Sequence, residues 1–164
     1  MEGFIDHRRA ARAVPLIAVD SKRLRGVFKE LGKTAERWAQ AVDFRAETGS
    51  FCLLPDAQGQ LHAVLAGVAR EDDVFALAAL PYRLPPGAYR LDARGVALDP
   101  VRSALGWGMG AYAFTRYRKA RRAPAKLALD AATQRAVEGP LTAIGLVRDL
   151  VNTPTEDMGP AELS

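Results

Sequence analysis

Cysteine and histidine are scarce in this sequence, which limits the chemistry it can carry. Among 164 residues there is one cysteine, Cys52, and there are two histidines, His7 and His62. One cysteine forms no internal disulfide, so the fold must stand on its core, and the expected compartment is the reducing cytoplasm. Cys52 lies in an apolar run and reads as a small buried hydrophobe rather than a reactive thiol. His7 and His62 are far apart, and neither has the His-x-x-x-His or Cys-x-x-Cys spacing of a zinc site. Long apolar runs are missing too, since none approaches the roughly 20 residues that span a bilayer. Residues 1–13 are polar and basic, with no following apolar h-region and small-residue cleavage site, so no secretory leader is expected and the segment reads as a loose lead-in. The net charge of +4 is too small to imply a partner until it is located along the chain.

What the sequence does have is enough apolar material, 49% of its residues, to bury one full core. Residues 14–19 are a short apolar run with strand character. Asp20 or Ser21 then caps a helix with Leu24, Val27, Phe28 and Leu31 on one face, and Gly32 stops it. Thr34 caps a second short helix that is expected to turn Trp38, Ala41 and Val42 inward. Residues 51–54 and 61–68 read as two strands joined across Asp56-Ala57-Gln58-Gly59, a hairpin signal. They are apolar on both faces except at His62, which argues for a sheet covered on two sides. Asp72 and Asp73 favour a helix start, with Val74, Leu77, Ala78 and Phe75 packing inward.

Residues 88–91 are a further strand. Asp99-Pro100 starts a helix, an acid at the cap followed by proline at the first position, with Val101, Ala104, Leu105 and Tyr112 on one face. Residues 116–126 form a basic connector, 126–129 a strand, and about 133–151 a final helix in which Gly139-Pro140 is expected to bring a kink or a late start. Its apolar residues at three- and four-residue steps predict that Ile144, Val147 and Val151 pack on the sheet. Strands alternating with helices give an α/β fold, a three-layer α/β/α domain with a mixed β-sheet followed by a linking helix. The division expected is residues 1–130 for the α/β domain and 131–164 for the linking helix and the start of a further domain.

Three chemistries come into question. Gly106-Trp107-Gly108-Met109-Gly110-Ala111 has the spacing of a dinucleotide fingerprint, which needs a strand before it and a helix opening after it. Here Asp99-Pro100 starts a helix seven residues earlier, so the glycines lie within or at the end of a helix and read as close packing. Asp72 and Asp73 are adjacent and point about 100° apart on a helix, a poor geometry for one metal ion. Arg116, Arg118, Lys119, Arg121, Arg122 and Lys126 are six positive charges with no acid among them, preceded by Tyr112, Phe114 and Tyr117. That aromatic and basic mixture occurs on surfaces that bind single-stranded nucleic acid, and it makes these six the candidate contacts of a free-standing binding module. The bland alternative is a solvated connector, with Tyr112 and Phe114 in the core.

One stretch says more. Arg148-Asp149-Leu150-Val151-Asn152-Thr153-Pro154, followed by Asp157-Met158-Gly159-Pro160-Ala161-Glu162-Leu163, closes a helix, makes a turn and sets up another. Asn152 and Pro154 stop the first helix, and Pro160 suits the first position of the next. From Val147 to Leu163 the stretch resembles the junction between the variable N-terminal domain and the catalytic domain of the leucyl (cytosol) aminopeptidase family. Tyr112-x-Phe114-x-x-Tyr117-Arg118 is a second, weaker match, to the segment that ends the family's N-terminal domain. Residues 1 to about 100 match no motif of the family.

The resemblance implies a three-layer α/β fold and a non-catalytic domain expected to end just past its linker. It implies a parent that removes N-terminal residues from peptides with two divalent metal ions, zinc or manganese. Those ions are held in the catalytic domain by a lysine, aspartates, a glutamate and an arginine in an Asn-Thr-Asp-Ala-Glu-Gly-Arg motif. None of these positions exists here, so no catalytic, metal or cofactor residue is assigned to this chain, which is expected to be inactive alone. Asp149 and Asn152 are expected to cap and hydrogen-bond at the boundary. The implied partners are the C-terminal catalytic domain, further copies in a hexamer, and the parent's peptide substrate. Some bacterial members bind DNA, and no membrane is implied.

Overall fold

The computed structural model describes residues 2–118, 120, 122–154 and 157. Six strands form one sheet in the order β1-β6-β5-β2-β4-β3. They are β1 (Phe4–Asp6), β2 (Val14–Val19), β3 (Phe51–Pro55), β4 (Leu61–Gly67), β5 (Ala88–Asp92) and β6 (Lys126–Leu129). Every neighbouring pair is parallel except β3 with β4, so the sheet is mixed, as the pattern of strands and helices predicts. The helices are α1 (Leu24–Leu31), α2 (Lys33–Ala41), α3 (Pro100–Ala111) and α4 (Ala131–Asn152).

Alternation along the central strands divides the core in two. From β2, Ile17 and Val19 face one layer and join Val27, Phe28, Ala39, Cys52, Leu54, Ala63 and Leu65 under α1 and α2. Leu16 and Ala18 face the other and meet Leu77, Leu84, Tyr89, Trp107, Leu127 and Val137 under α3 and α4. β2 is apolar on both faces because helices cover both. Cys52 is buried as expected, and burial pushes its thiol pKa up.

Several expectations about local structure fail, among them the cap of α1 at Asp20 or Ser21: the cap position is Arg23, and Asp20 instead closes the turn before the helix by accepting from Arg23 N at 2.7 Å. Residues 1–13 are not a loose lead-in. Phe4, Ile5 and Asp6 pair with Leu127, Ala128 and Leu129 at the sheet margin, and Trp107 Nε1 donates to the Gly3 carbonyl at 2.9 Å. A strand whose partner lies more than a hundred residues away leaves no periodic signal of its own.

The segment after Asp72-Asp73 is a run of turns, not a helix. Asp73 Oδ1 accepts from Phe75 N, and successive N–H groups of Ala76, Ala78 and Leu80 reach back three residues to Asp73, Phe75 and Leu77. The Val74 and Ala78 carbonyls turn instead toward α3, where Gly106 and Gly110 offer room. Any Cβ at those two glycines would fall on the Val74 and Ala78 oxygens. Leu77 is buried as expected, but Phe75 is 65% exposed.

In α2 the buried residue is Ala39, while Trp38, Ala41 and, just past the helix, Val42 face outward. The helix starts at Lys33 after Gly32, not at a Thr34 cap. Trp38 lies at the margin of the sheet and donates from Nε1 to the Leu53 carbonyl at 2.8 Å. It covers the outer edge of β3 rather than its face, and with Pro55, which has no N–H, it blunts that edge against further strand pairing.

Candidate interface at the junction helix

α4 is positioned from its first residue. Asp130 caps it, Oδ1 accepting from Ala132 N at 2.9 Å and Thr133 N at 2.8 Å while Oδ2 accepts from Thr133 Oγ1 at 3.0 Å. The Thr133 backbone N–H is the main cause holding the Asp130 carboxyl below its usual range. The helix runs as α-helix through Gly139 and Pro140 with no delayed start. Thr133 and Val137 are buried, and Leu141 fits over Gly108 of α3. α4 thus packs through its first half.

Its second half is different. Leu146, Val147 and Val151 are 59%, 58% and 79% exposed. This corrects the expectation that Ile144, Val147 and Val151 pack on the sheet: Ile144 is half-buried, and the two valines are bare. The three- and four-residue spacing correctly marks an apolar face, but spacing does not say what covers it.

What fixes this half is polar. α3 ends at Ala111, and Tyr112 continues in extended conformation. The Tyr112 hydroxyl donates to Asp149 Oδ1 at 2.7 Å and accepts from Asn152 Nδ2 at 3.2 Å. Arg148 donates from Nη1 to the Met109 carbonyl at 2.7 Å and lays its guanidinium 5.2 Å from the centre of the Tyr112 ring. Thr153 Oγ1 donates to the Asp149 carbonyl at 2.7 Å, and the Tyr117 hydroxyl bonds Asp157. Burial first, then the bond to Asp149, pushes the Tyr112 pKa up. Asp149 and Asn152 therefore hydrogen-bond onto the segment after α3, while the cap position of α4 is Thr153 rather than either of them. Sequence reasoning missed Arg148 as a partner of Tyr112. It also missed the Asp130 cap, which an acid three residues before Thr133 signals.

Between these elements lies a cleft of about 510 Å³ whose walls include Phe4, Met109, Tyr112, Phe114, Ile144 and Arg148. Tyr112 and Phe114 are half-buried there rather than in the core. Among the described residues no three His, Cys, Asp or Glu side chains converge as metal ligands. The two metal ions that the resemblance implies do not fit here. The geometry suits docking, with the exposed Val147 and Val151 on one side of α4 near the polar clasp.

The basic candidates are dispersed. Arg116 lies 5.9 Å from the centre of the exposed Tyr117 ring, and Arg118 is exposed. Lys126 opens β6 with its side chain in solvent. Arg122 turns inward, and its Nη2 is held by the carbonyls of Tyr82 and Leu84. Lys119 and Arg121 lie outside the described residues, as does most of the expected turn after Pro154.

Comparison with known proteins agrees with the fold. The family described as M17 aminopeptidase, N-terminal domain, matches residues 14–130. No curated protein sequence matches significantly. Among solved structures, the cytosol aminopeptidase of Coxiella burnetii superposes with a TM-score of 0.85 at 35% identity over 92% of this chain and 34% of its own. The bottromycin maturation enzyme BotP in complex with Mn gives 0.66 at 22% identity, over 93% of this chain and 34% of its own. A tomato leucine aminopeptidase mutant gives 0.63 at 19% identity, over 98% and 40%, and like BotP it speaks for the fold alone. The chain thus spans about a third of the length of the first of these relatives. With the match over residues 14–130 and the 35% identity, this chain belongs to the M17 aminopeptidase family and carries its N-terminal domain.

Proposed function

We propose that this domain is the non-catalytic N-terminal part of a leucyl aminopeptidase-like exopeptidase, which removes N-terminal residues from peptides. The observation that carries this is the 35% identity extending over 92% of the chain but only 34% of the Coxiella protein. Zinc or manganese would supply Lewis-acid chemistry in a catalytic portion distinct from this domain. α4 then serves as the connection. Its bare Leu146, Val147 and Val151 meet the catalytic portion, and the clasp of Tyr112, Arg148, Asp149 and Asn152 holds the direction in which the chain leaves the domain. The domain's contribution is to assembly, as a cytoplasmic homo-oligomer such as a hexamer, and to substrate access.

The test is leucine amide hydrolysis by this 164-residue chain, compared with a form extended through a catalytic portion. The expected result is no turnover by the short chain with added zinc or manganese, and metal-dependent turnover by the long one. Metal-dependent turnover by the short chain, surviving removal of contaminating peptidases, overturns the assignment.

A second reading, weak sequence-independent nucleic-acid binding, has one observation in its favour. Phe114 and Tyr117 meet edge to face at 5.6 Å with Arg116 beside them, and the exposed Tyr117 ring is a surface on which a base could stack. Titrating single-stranded and duplex DNA at several salt concentrations tests it, the slope of log affinity against log salt being about −0.9 per duplex phosphate contact. With Arg122 turned inward, fewer than six such contacts are expected.

A further inference from the structure

The crevice beyond the carboxyl ends of β2 and β4 shares no lining residue with the cleft beside α4. The connection leaving β2 crosses one face of the sheet through α1 and α2, whereas those leaving β4 and β5 cross the other through residues 68–87 and α3. β2 therefore parts from both its neighbours at its carboxyl end, and in open α/β sheets small ligands collect where connections diverge in this way. A cavity of about 350 Å³ lies there, between Asp20 and Arg23 after β2, residues 69–72 after β4, and Val96 after β5. Backbone bonds hold its walls: Val68 N donates to the Val19 carbonyl at 2.9 Å and Val96 N to that of Ala18 at 2.7 Å.

The lining carries both signs of charge. Arg23 pairs with Asp20 at 2.6 Å and Arg70 with Asp72 at 2.6 Å. Glu71 has no ion pair or hydrogen bond among the described residues. The Arg23 and Arg70 side chains are 53% and 73% exposed, and Arg70 meets Asp72 through two hydrogen bonds, at 2.9 and 2.6 Å, so a ligand carboxylate would share Arg70 with Asp72 through its remaining N–H groups. A phosphate would face three carboxylates against two guanidiniums, and a metal cation would face the guanidiniums. A molecule with one anion and one cation a few bonds apart satisfies both sets.

We propose that this crevice binds a free α-amino acid, its carboxylate on Arg70, its ammonium on Glu71 and its side chain over Ala69. The assignment rests on the crevice and not on the aminopeptidase reading, so either can fail without the other. The experiment is an amide-resolved NMR titration of the 164-residue chain with L-valine. Saturable shifts are expected at residues 20, 23, 69–72 and 96, with a Kd on the order of 1 mM, as suits so small a ligand in an open crevice.

Valinamide, which lacks the carboxylate, and N-acetylvaline, which lacks the ammonium, should each bind about ten-fold more weakly, a factor comparable to one charge-assisted hydrogen bond. Arg70→Gln and Glu71→Gln should each weaken valine by a similar factor while leaving distant shifts unchanged, which verifies the fold. Divaline, with its charges further apart, should bind more weakly than valine. Absence of saturable shifts at these residues, equal response to the singly charged analogues, or tighter binding of divaline or inorganic phosphate overturns the proposal.

Discussion

α3 and α4 lie side by side on one face of the sheet and use their residues in opposite ways. α3 carries glycine at 106, 108 and 110, and spends them on contact: two admit the carbonyls of Val74 and Ala78, and the third admits Leu141. Between them Trp107 is wholly buried, with its Nε1 bonded to the Gly3 carbonyl. α4 repeats that economy only as far as Leu141, then exposes three large aliphatic side chains. A helix that presents small residues is addressed to neighbours inside the domain. One that leaves Leu146, Val147 and Val151 bare offers a surface that the domain itself does not cover.

The sharpest way to break this contrast is at Trp107. Trp107→Ala should cost about 3–5 kcal/mol, the usual range for deleting a large buried aromatic, and urea denaturation measures it. Gly106→Ala and Gly110→Ala come next. Each drives a methyl group onto a backbone oxygen that cannot swing away, with an expected loss of about 1–3 kcal/mol. An unchanged midpoint for either would mean that the 72–80 turns yield more easily than their contacts suggest.

Tyr112→Phe tests the clasp, which lies between the two helices' styles. It should cost no more than about 1 kcal/mol in this partly exposed position. The pH dependence sharpens it. Because the folded pKa of Tyr112 is raised, its contribution is in place below the unfolded tyrosine value and is lost as pH rises through the folded one. Tyr112→Phe should therefore flatten part of the alkaline decline in stability, seen as a smaller change in thermal midpoint above the ordinary tyrosine range.

The smallest effect is expected on the exposed strip. Val147→Ser and Val151→Ser should shift the stability of this chain by within about 0.5 kcal/mol, as surface changes do. In a form extended through a catalytic portion the same pair should lower the thermal midpoint clearly. An equal, small effect in both forms would leave the strip without a partner.

Most of the architecture was legible because it rests on local signals. β2 and β6 announce themselves as apolar runs bounded by polar residues, and Asp99-Pro100 marks the start of α3 within the residue. The glycine-rich stretch was legible as packing because its position inside a helix rules out a phosphate loop. What stayed hidden depends on distant parts of the chain. β1 exists because β6 and Trp107 receive it. The 72–80 segment leaves the helical path because α3 draws its carbonyls outward. Trp38 looks like core but caps an edge carbonyl. At the junction, the residue types were readable as hydrogen-bonding groups, but their partner Tyr112 was not, since nearly forty positions separate it from Asp149.

The pairing of Phe4 with Leu127 sets an order of events during synthesis. β2, α1, α2, β3 and β4 can assemble soon after they leave the ribosome, each next to something already made. The first strand to emerge cannot be placed until β6 has emerged, more than a hundred residues later. At about 5–20 residues per second the nascent N-terminus waits several seconds or more with its apolar residues unpaired. Placing it is also the contact with the largest loop to close, and so the slowest kind to form. A bulky fusion at the N-terminus would act on that last step, slowing completion of the sheet while leaving its early hairpin untouched.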